Sequence, residues 1–89
     1  MRGFVSSPAY RAVAAALATA RSDAGVSQRE LAKRMGTLPS VIAKIETGSR
    51  RVDVLELIQI AQALGLRPDG LFNQASQAVS KVAPSSDDR

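Results

Sequence analysis

Ser40 and Lys44 stand four residues apart in a segment that carries Ile42 and Ile45 between and after them. On a helix this spacing sends the hydroxyl and the ammonium to one side and the two isoleucines to the other. The outward side also takes Pro39, Ala43 and Thr47. A Lys can donate to guanine O6 and N7 or to a phosphate, Ser can bond either, and small methyl-bearing residues can pack against thymine methyls. Two adjacent guanidiniums, Arg50 and Arg51, follow at once. Such a pair can grip phosphates bidentately, with a salt bridge to Asp53 or Glu56 as the competing use. Upstream, Gln28 and Arg29 open another helical stretch, where unpaired first-turn N–H groups and the helix dipole attract anions. All of this is polyanion chemistry. The chain has no Cys and no His, which removes thiolate and imidazole metal ligands and imidazole acid–base catalysis. No metal and no cofactor are expected.

Positioning these groups requires two short helices at a fixed angle. Leu31, Ala32 and Met35 form one apolar face, Ile42 and Ile45 another, and Gly36 lies where a helix needs a left-handed stop. Ala32 is small enough to let the two helices approach at their crossing. This is the pattern of a helix-turn-helix, whose second helix enters the DNA major groove. The charge agrees. Between residues 21 and 52 there are seven basic residues (Arg21, Arg29, Lys33, Arg34, Lys44, Arg50, Arg51) and three acidic ones (Asp23, Glu30, Glu46), an excess equal to the whole net charge of +4. A basic excess confined to this segment suits a polyanion partner.

The remaining elements are set by caps and periodicity. Eighty-nine residues make one domain, and an apolar content of 45% with one Tyr, two Phe and no Trp implies an aliphatic core. Few segments alternate with period two, so the fold class is all-α. Ser7-Pro8 starts a helix from about residue 8 to 22 or 23, with Tyr10, Val13, Ala14, Leu17 and Ala20 or Arg21 inward. Ser27 and Glu30 form a capping box for a helix over 28–35, and the next runs over 39–47 to Gly48. Asp53 and Glu56 make a second box, before a helix whose inner stripe is Val54, Leu57, Ile58, Ala61 and Leu64. Pro68 opens a short fifth helix to about residue 73, with Leu71 and Phe72 inward. The expected domain is therefore 8–74, between a flexible arm at 1–7 and a weakly helical or disordered tail at 75–89.

The residues Gly25-Val26-Ser27-Gln28, Glu30-Leu31-Ala32, Gly36, Ile42, Lys44-Ile45-Glu46, Gly48 and Leu64-Gly65-Leu66 resemble the phage-repressor (Xre/Cro) family. The resemblance covers about 10–72 and implies a compact five-helix, lambda-repressor-like DNA-binding domain. It implies a phosphate bond from Gln28, a duplex backbone running past the loop of Arg50 and Arg51, and an ion pair joining Arg21 to Glu46. The chain departs from the family at the start of the groove-reading helix. Leu38 stands where Ser or Thr is common, and Pro39 where several members carry an adenine-reading Gln. Base readout then relies on Leu38, Pro39, Ser40, Ala43, Lys44 and Thr47, with more weight on phosphates and DNA shape.

These readings converge on a double-stranded-DNA-binding transcriptional regulator, most simply a repressor, acting as a homodimer on two half-sites. The expected dimer surface is Leu66, Leu71 and Phe72, extended by Val79 and Val82. The alternative is an antitoxin that binds a toxin protein through residues 75–89. An enzyme is disfavoured, since the acidic residues are absorbed as caps or ion pairs. No apolar run is long enough for a bilayer and none resembles a secretion signal, so the expected location is cytoplasmic.

Overall fold

The computed structural model describes residues 7–82. Residues 1–6 and 83–89, most of the expected arm and the end of the expected tail, lie outside the described range. Five helices follow one another: α1 (Pro8–Asp23), α2 (Gln28–Met35), α3 (Pro39–Thr47), α4 (Val54–Ala63) and α5 (Pro68–Ser80). There is no strand among the described residues.

Local chemistry sets most of these limits. Ser7 Oγ accepts from the Tyr10 amide at 3.1 Å, ahead of a Pro at the first helical position of α1. The Asp53–Glu56 box of α4 is complete in both directions. The box expected at α2 is half made. Ser27 Oγ accepts from the Glu30 amide at 3.0 Å, but the Glu30 carboxylate turns to Arg34 one helical turn on. Gly36 and Gly48 close α2 and α3 with φ of +71° and +82°. In each case the next amide reaches five residues back, Thr37 to the Ala32 carbonyl and Ser49 to that of Lys44.

The largest fully buried side chains are Leu17, Leu31, Ile42, Ile45, Ile60 and Leu71, an aliphatic core with no buried charge among the described residues. α1 packs on α3 and α5, α2 on α3 and α4, and α4 on α5. The face of α3 bearing Ile42 and Ile45 is thus held from two sides, by α1 and α2. Ala32 is fully enclosed at this crossing.

Two parts of the sequence-based expectation need correction. In α4 the buried stripe includes Ile60, while Val54 is 73% exposed. Val54 sits at the first helical position, beyond the reach of the core that buries Ile60, Ala61 and Leu64. The fifth helix does not end near residue 73 but continues to Ser80, burying Ala75. Residues 75–80 lack large apolar side chains apart from Val79, which is why periodicity alone undervalues them. Ala12, Ala15 and Ala16 of α1 face Gln74, Gln77 and Ala78 of α5 across a shallow groove, and such small residues let two helices lie close. Leu71 faces inward as expected, but Phe72, one residue on, points out and is 58% exposed.

Candidate nucleic-acid interface

The outward side of α3 is what its periodicity dictates. Ser40, Lys44, Thr47 and Pro39 are exposed and Ala43 is half-buried, opposite the enclosed Ile42 and Ile45. Leu38, at the N-cap, makes no side-chain capping bond and is itself exposed. Thr47 differs in one respect from a free groove-facing residue. Its hydroxyl donates to the Lys44 carbonyl at 3.2 Å and pairs with Ser49 Oγ at 3.1 Å, so its methyl is the part left for a partner.

Beside the C-terminal half of α3 lies a three-residue network. Arg21 Nε donates to Glu46 Oε2 at 2.6 Å and its Nη2 to Oε1 at 3.0 Å, a bidentate pair. Arg21 Nη1 also donates to the Val26 carbonyl at 2.7 Å. The side chains are 17% and 7% exposed, so the pair is largely withdrawn from water. The hydrogen bond to Glu46 raises the Arg21 pKa above its ordinary value, against the opposing effect of burial. Gln28 joins the same carboxylate, its Nε2 donating to Glu46 Oε1 at 2.9 Å. The amide is therefore held against α3 rather than loose in solvent. Gln28 is also the first residue of α2, a helix whose Glu30 amide is taken by the Ser27 hydroxyl and whose Leu31 amide by the Ser27 carbonyl.

The two adjacent arginines after α3 have different surroundings. Arg50 is bidentate to Glu56, Nη2 to Oε2 at 2.8 Å and Nη1 to Oε1 at 3.1 Å, and Nη1 also reaches the Arg51 carbonyl at 3.1 Å. That ion pair raises the Arg50 pKa and holds the Glu56 carboxyl below its ordinary value. Of the two competing uses of Arg50, the structure shows the salt bridge. Arg51 is exposed, with its guanidinium 5.0 Å from the centre of the Tyr10 ring. Arg29 and Lys33 are exposed. Arg34 is more than a contributor to the positive field, because its Nη1 donates at 2.8 Å to the Ala63 carbonyl at the end of α4.

The sequence reading missed the side-chain bonds of Gln28, Arg34 and Tyr10. Only Tyr10 offered a signal, since a phenol on an inward stripe must find a partner for its hydroxyl. The expected dimer residues separate in the structure. Leu71 is 1% exposed and belongs to the core, Leu66 is half-buried against it, and Phe72 alone of the three stands out. Leu71 is therefore withdrawn from any surface role.

The helix-turn-helix family model matches residues 17–71, more than half of the chain. The chain belongs to the Xre-type helix-turn-helix family. Solved structures agree with this. The clp gene regulator ClgR from C. glutamicum is similar at 30% identity, over 83% of this chain and 94% of that one, with a TM-score of 0.73. A second ClgR structure from Corynebacterium glutamicum aligns at 30% identity over 79% of this chain and 74% of that chain, with a TM-score of 0.72. An XRE-family-like protein from Pseudomonas syringae pv. tomato is 36% identical, over 78% of this chain and 84% of that one, with a TM-score of 0.69. No functionally curated protein shows significant similarity. The helix-turn-helix domain is thus of the kind found in DNA-binding regulators. Among the described residues, no helix is long and apolar enough to cross a membrane.

Proposed function

We propose that this protein is a sequence-specific regulator of transcription that places α3 in the DNA major groove. The observation that carries the proposal is the outward side of α3: Ser40 and Lys44 are exposed on a helix whose opposite side is locked into the core by Ile42 and Ile45. Ser40 and Lys44 are the base readers, aided by apolar contact from Leu38, Pro39, Ala43 and the Thr47 methyl. Gln28 with the α2 amides, Arg29 and Arg51 are the phosphate contacts. Arg50 reaches a phosphate only by sharing its guanidinium with Glu56.

The acting form is a homodimer, because one short helix touches too few base pairs for useful specificity and a two-fold pair doubles the site. Phe72 supports this, together with Val54 and Val79, which border the same apolar groove between α4 and α5. Repression follows most simply, by occupancy of DNA that a polymerase needs. The antitoxin reading gains nothing specific from the fold, in which residues 75–80 of its partner-binding segment form the end of α5 and Ala75 is buried.

Selection of bound duplexes from a random pool, repeated for Lys44→Ala and Ser40→Ala, tests the readout. Altered preference at one base pair marks a reader, whereas uniform loss marks a phosphate contact. Affinity that does not fall as salt rises overturns the reading. Sedimentation of Phe72→Glu tests the dimer: the expected result is a shift to monomer and weakened binding to a two-half-site duplex.

A further inference from the structure

Tyr10 belongs to α1, yet its polar end serves the loop beyond α3. The hydroxyl donates to the Arg50 carbonyl at 3.1 Å and accepts from the Val52 amide at 2.7 Å. These two backbone groups flank Arg51. The ring of the same residue lies under the Arg51 guanidinium. A single side chain thus holds Arg51 at the carbonyl before it, at the amide after it, and at its own charged end.

The neighbouring backbone is tied elsewhere. The Ser49 and Arg50 amides bond back to the Lys44 carbonyl at 3.0 and 3.2 Å, and the Asp53 amide to Glu56 Oε1 at 3.1 Å. Between these two anchorages the chain passes Arg51 and Val52, where Tyr10 bonds the backbone on both sides of Arg51 and Arg50 Nη1 donates to the Arg51 carbonyl. Core filling explains the buried ring, which a Phe would supply equally. It does not explain a hydroxyl placed to bond both a carbonyl and an amide two residues apart.

We propose that Tyr10 is a positioning residue for the DNA-backbone anchor, holding the 50–52 loop so that Arg51 meets a phosphate without first being ordered. The proposal rests on the reading of Arg51 as a phosphate contact. Ordering a loose loop and a long side chain on binding weakens association by about three- to tenfold.

Wild type, Tyr10→Phe, Arg51→Ala and the double variant are to be titrated with a selected and an unrelated duplex over a salt series, below the melting temperature of each. Arg51→Ala is expected to reduce the slope of log affinity against log salt by roughly 0.9, the value for one phosphate contact. Tyr10→Phe is expected to weaken both duplexes alike, about three- to tenfold, to move the slope in the same direction and to leave base preference unchanged. The double variant then binds no worse than Arg51→Ala alone. A purely structural hydroxyl lowers the melting temperature but leaves the slope intact and adds to the effect of Arg51→Ala, and that outcome overturns the proposal. An unchanged slope in Arg51→Ala removes the anchor itself, and the positioning role with it. Amide hydrogen exchange provides a readout without DNA: Val52 exchanges faster in Tyr10→Phe while Leu17 does not, and equal Val52 rates in both proteins refute the bridge.

Discussion

At its N-terminal end α3 begins on Leu38, which offers no side-chain cap and leaves its apolar group in solvent. At its C-terminal end the same helix is tied on every side. Gly48 turns the chain, Thr47 and Ser49 bond back to the Lys44 carbonyl, and Glu46 is gripped by Arg21 and Gln28. Tyr10 then fastens the loop that follows. The difference separates two tasks. The N-terminal end, with Leu38, Pro39 and Ser40 among the proposed base contacts, has no side-chain cap, whereas the end proposed to meet the duplex backbone is tied before any partner arrives.

The largest effect expected from breaking this contrast lies at the tied end. Glu46→Ala strands the Arg21 guanidinium and releases Gln28, at a cost of about 3 kcal/mol. In a domain this small that lowers the melting temperature by on the order of 10–20 °C. Glu30→Ala removes only the exposed pair with Arg34, worth less than about 1 kcal/mol. Equal melting temperatures for the two variants contradict the distinction. On the outward side of the helix, Lys44→Ala is expected to cost about 1–3 kcal/mol of discrimination at one base pair while leaving thermal stability nearly unchanged. Duplex selection and a melting curve on the same variant check both halves of that statement.

Leu38→Ser sharpens the comparison in the opposite direction. The backbone at 38 is already extended, as an N-cap requires, so a hydroxyl there stabilises α3 by about 1 kcal/mol. A rise of a few degrees in melting temperature is expected. Base preference is expected to shift if the leucine touches DNA. The smallest effect concerns the Arg50–Glu56 pair. Arg50 holds the Glu56 carboxyl below its ordinary value of 4.5, so the pair stabilises the fold above that pH and its contribution is lost as pH falls through the depressed value. Glu56→Gln keeps an acceptor for the Asp53 amide and removes the charge. Wild type is expected to exceed this variant in stability at neutral pH and to converge with it in acid, as followed by denaturant unfolding.

Much of the fold was legible in the residues because helix limits are local matters. Ser7-Pro8, Ser27, Pro39, Gly48 and the Asp53–Glu56 box act within one turn of their own positions, and α1, α2 and α3 fall where those signals place them. The fifth helix was less legible because alanines carry little hydrophobic signal. Whether they pack depends on what stands opposite, here the alanine-rich face of α1. The outward residues of α3 follow from periodicity, whereas the use of each arginine does not. Arg50 and Arg51 are chemically identical neighbours, and nothing in their order tells which one meets Glu56 and which one lies over a ring.

The sequence by itself determined five helical segments, the stops of the first four, the aliphatic core of the central pair and a basic stretch between residues 21 and 52. Only the tertiary structure decided which charges are consumed within the fold, that Phe72 faces out while Leu71 faces in, and that a phenol from α1 reaches the loop after α3. The reason lies in range. Capping and periodicity act over three or four residues, but a guanidinium or a hydroxyl takes the nearest partner in space, and Tyr10 and Val52 are 42 positions apart along the chain.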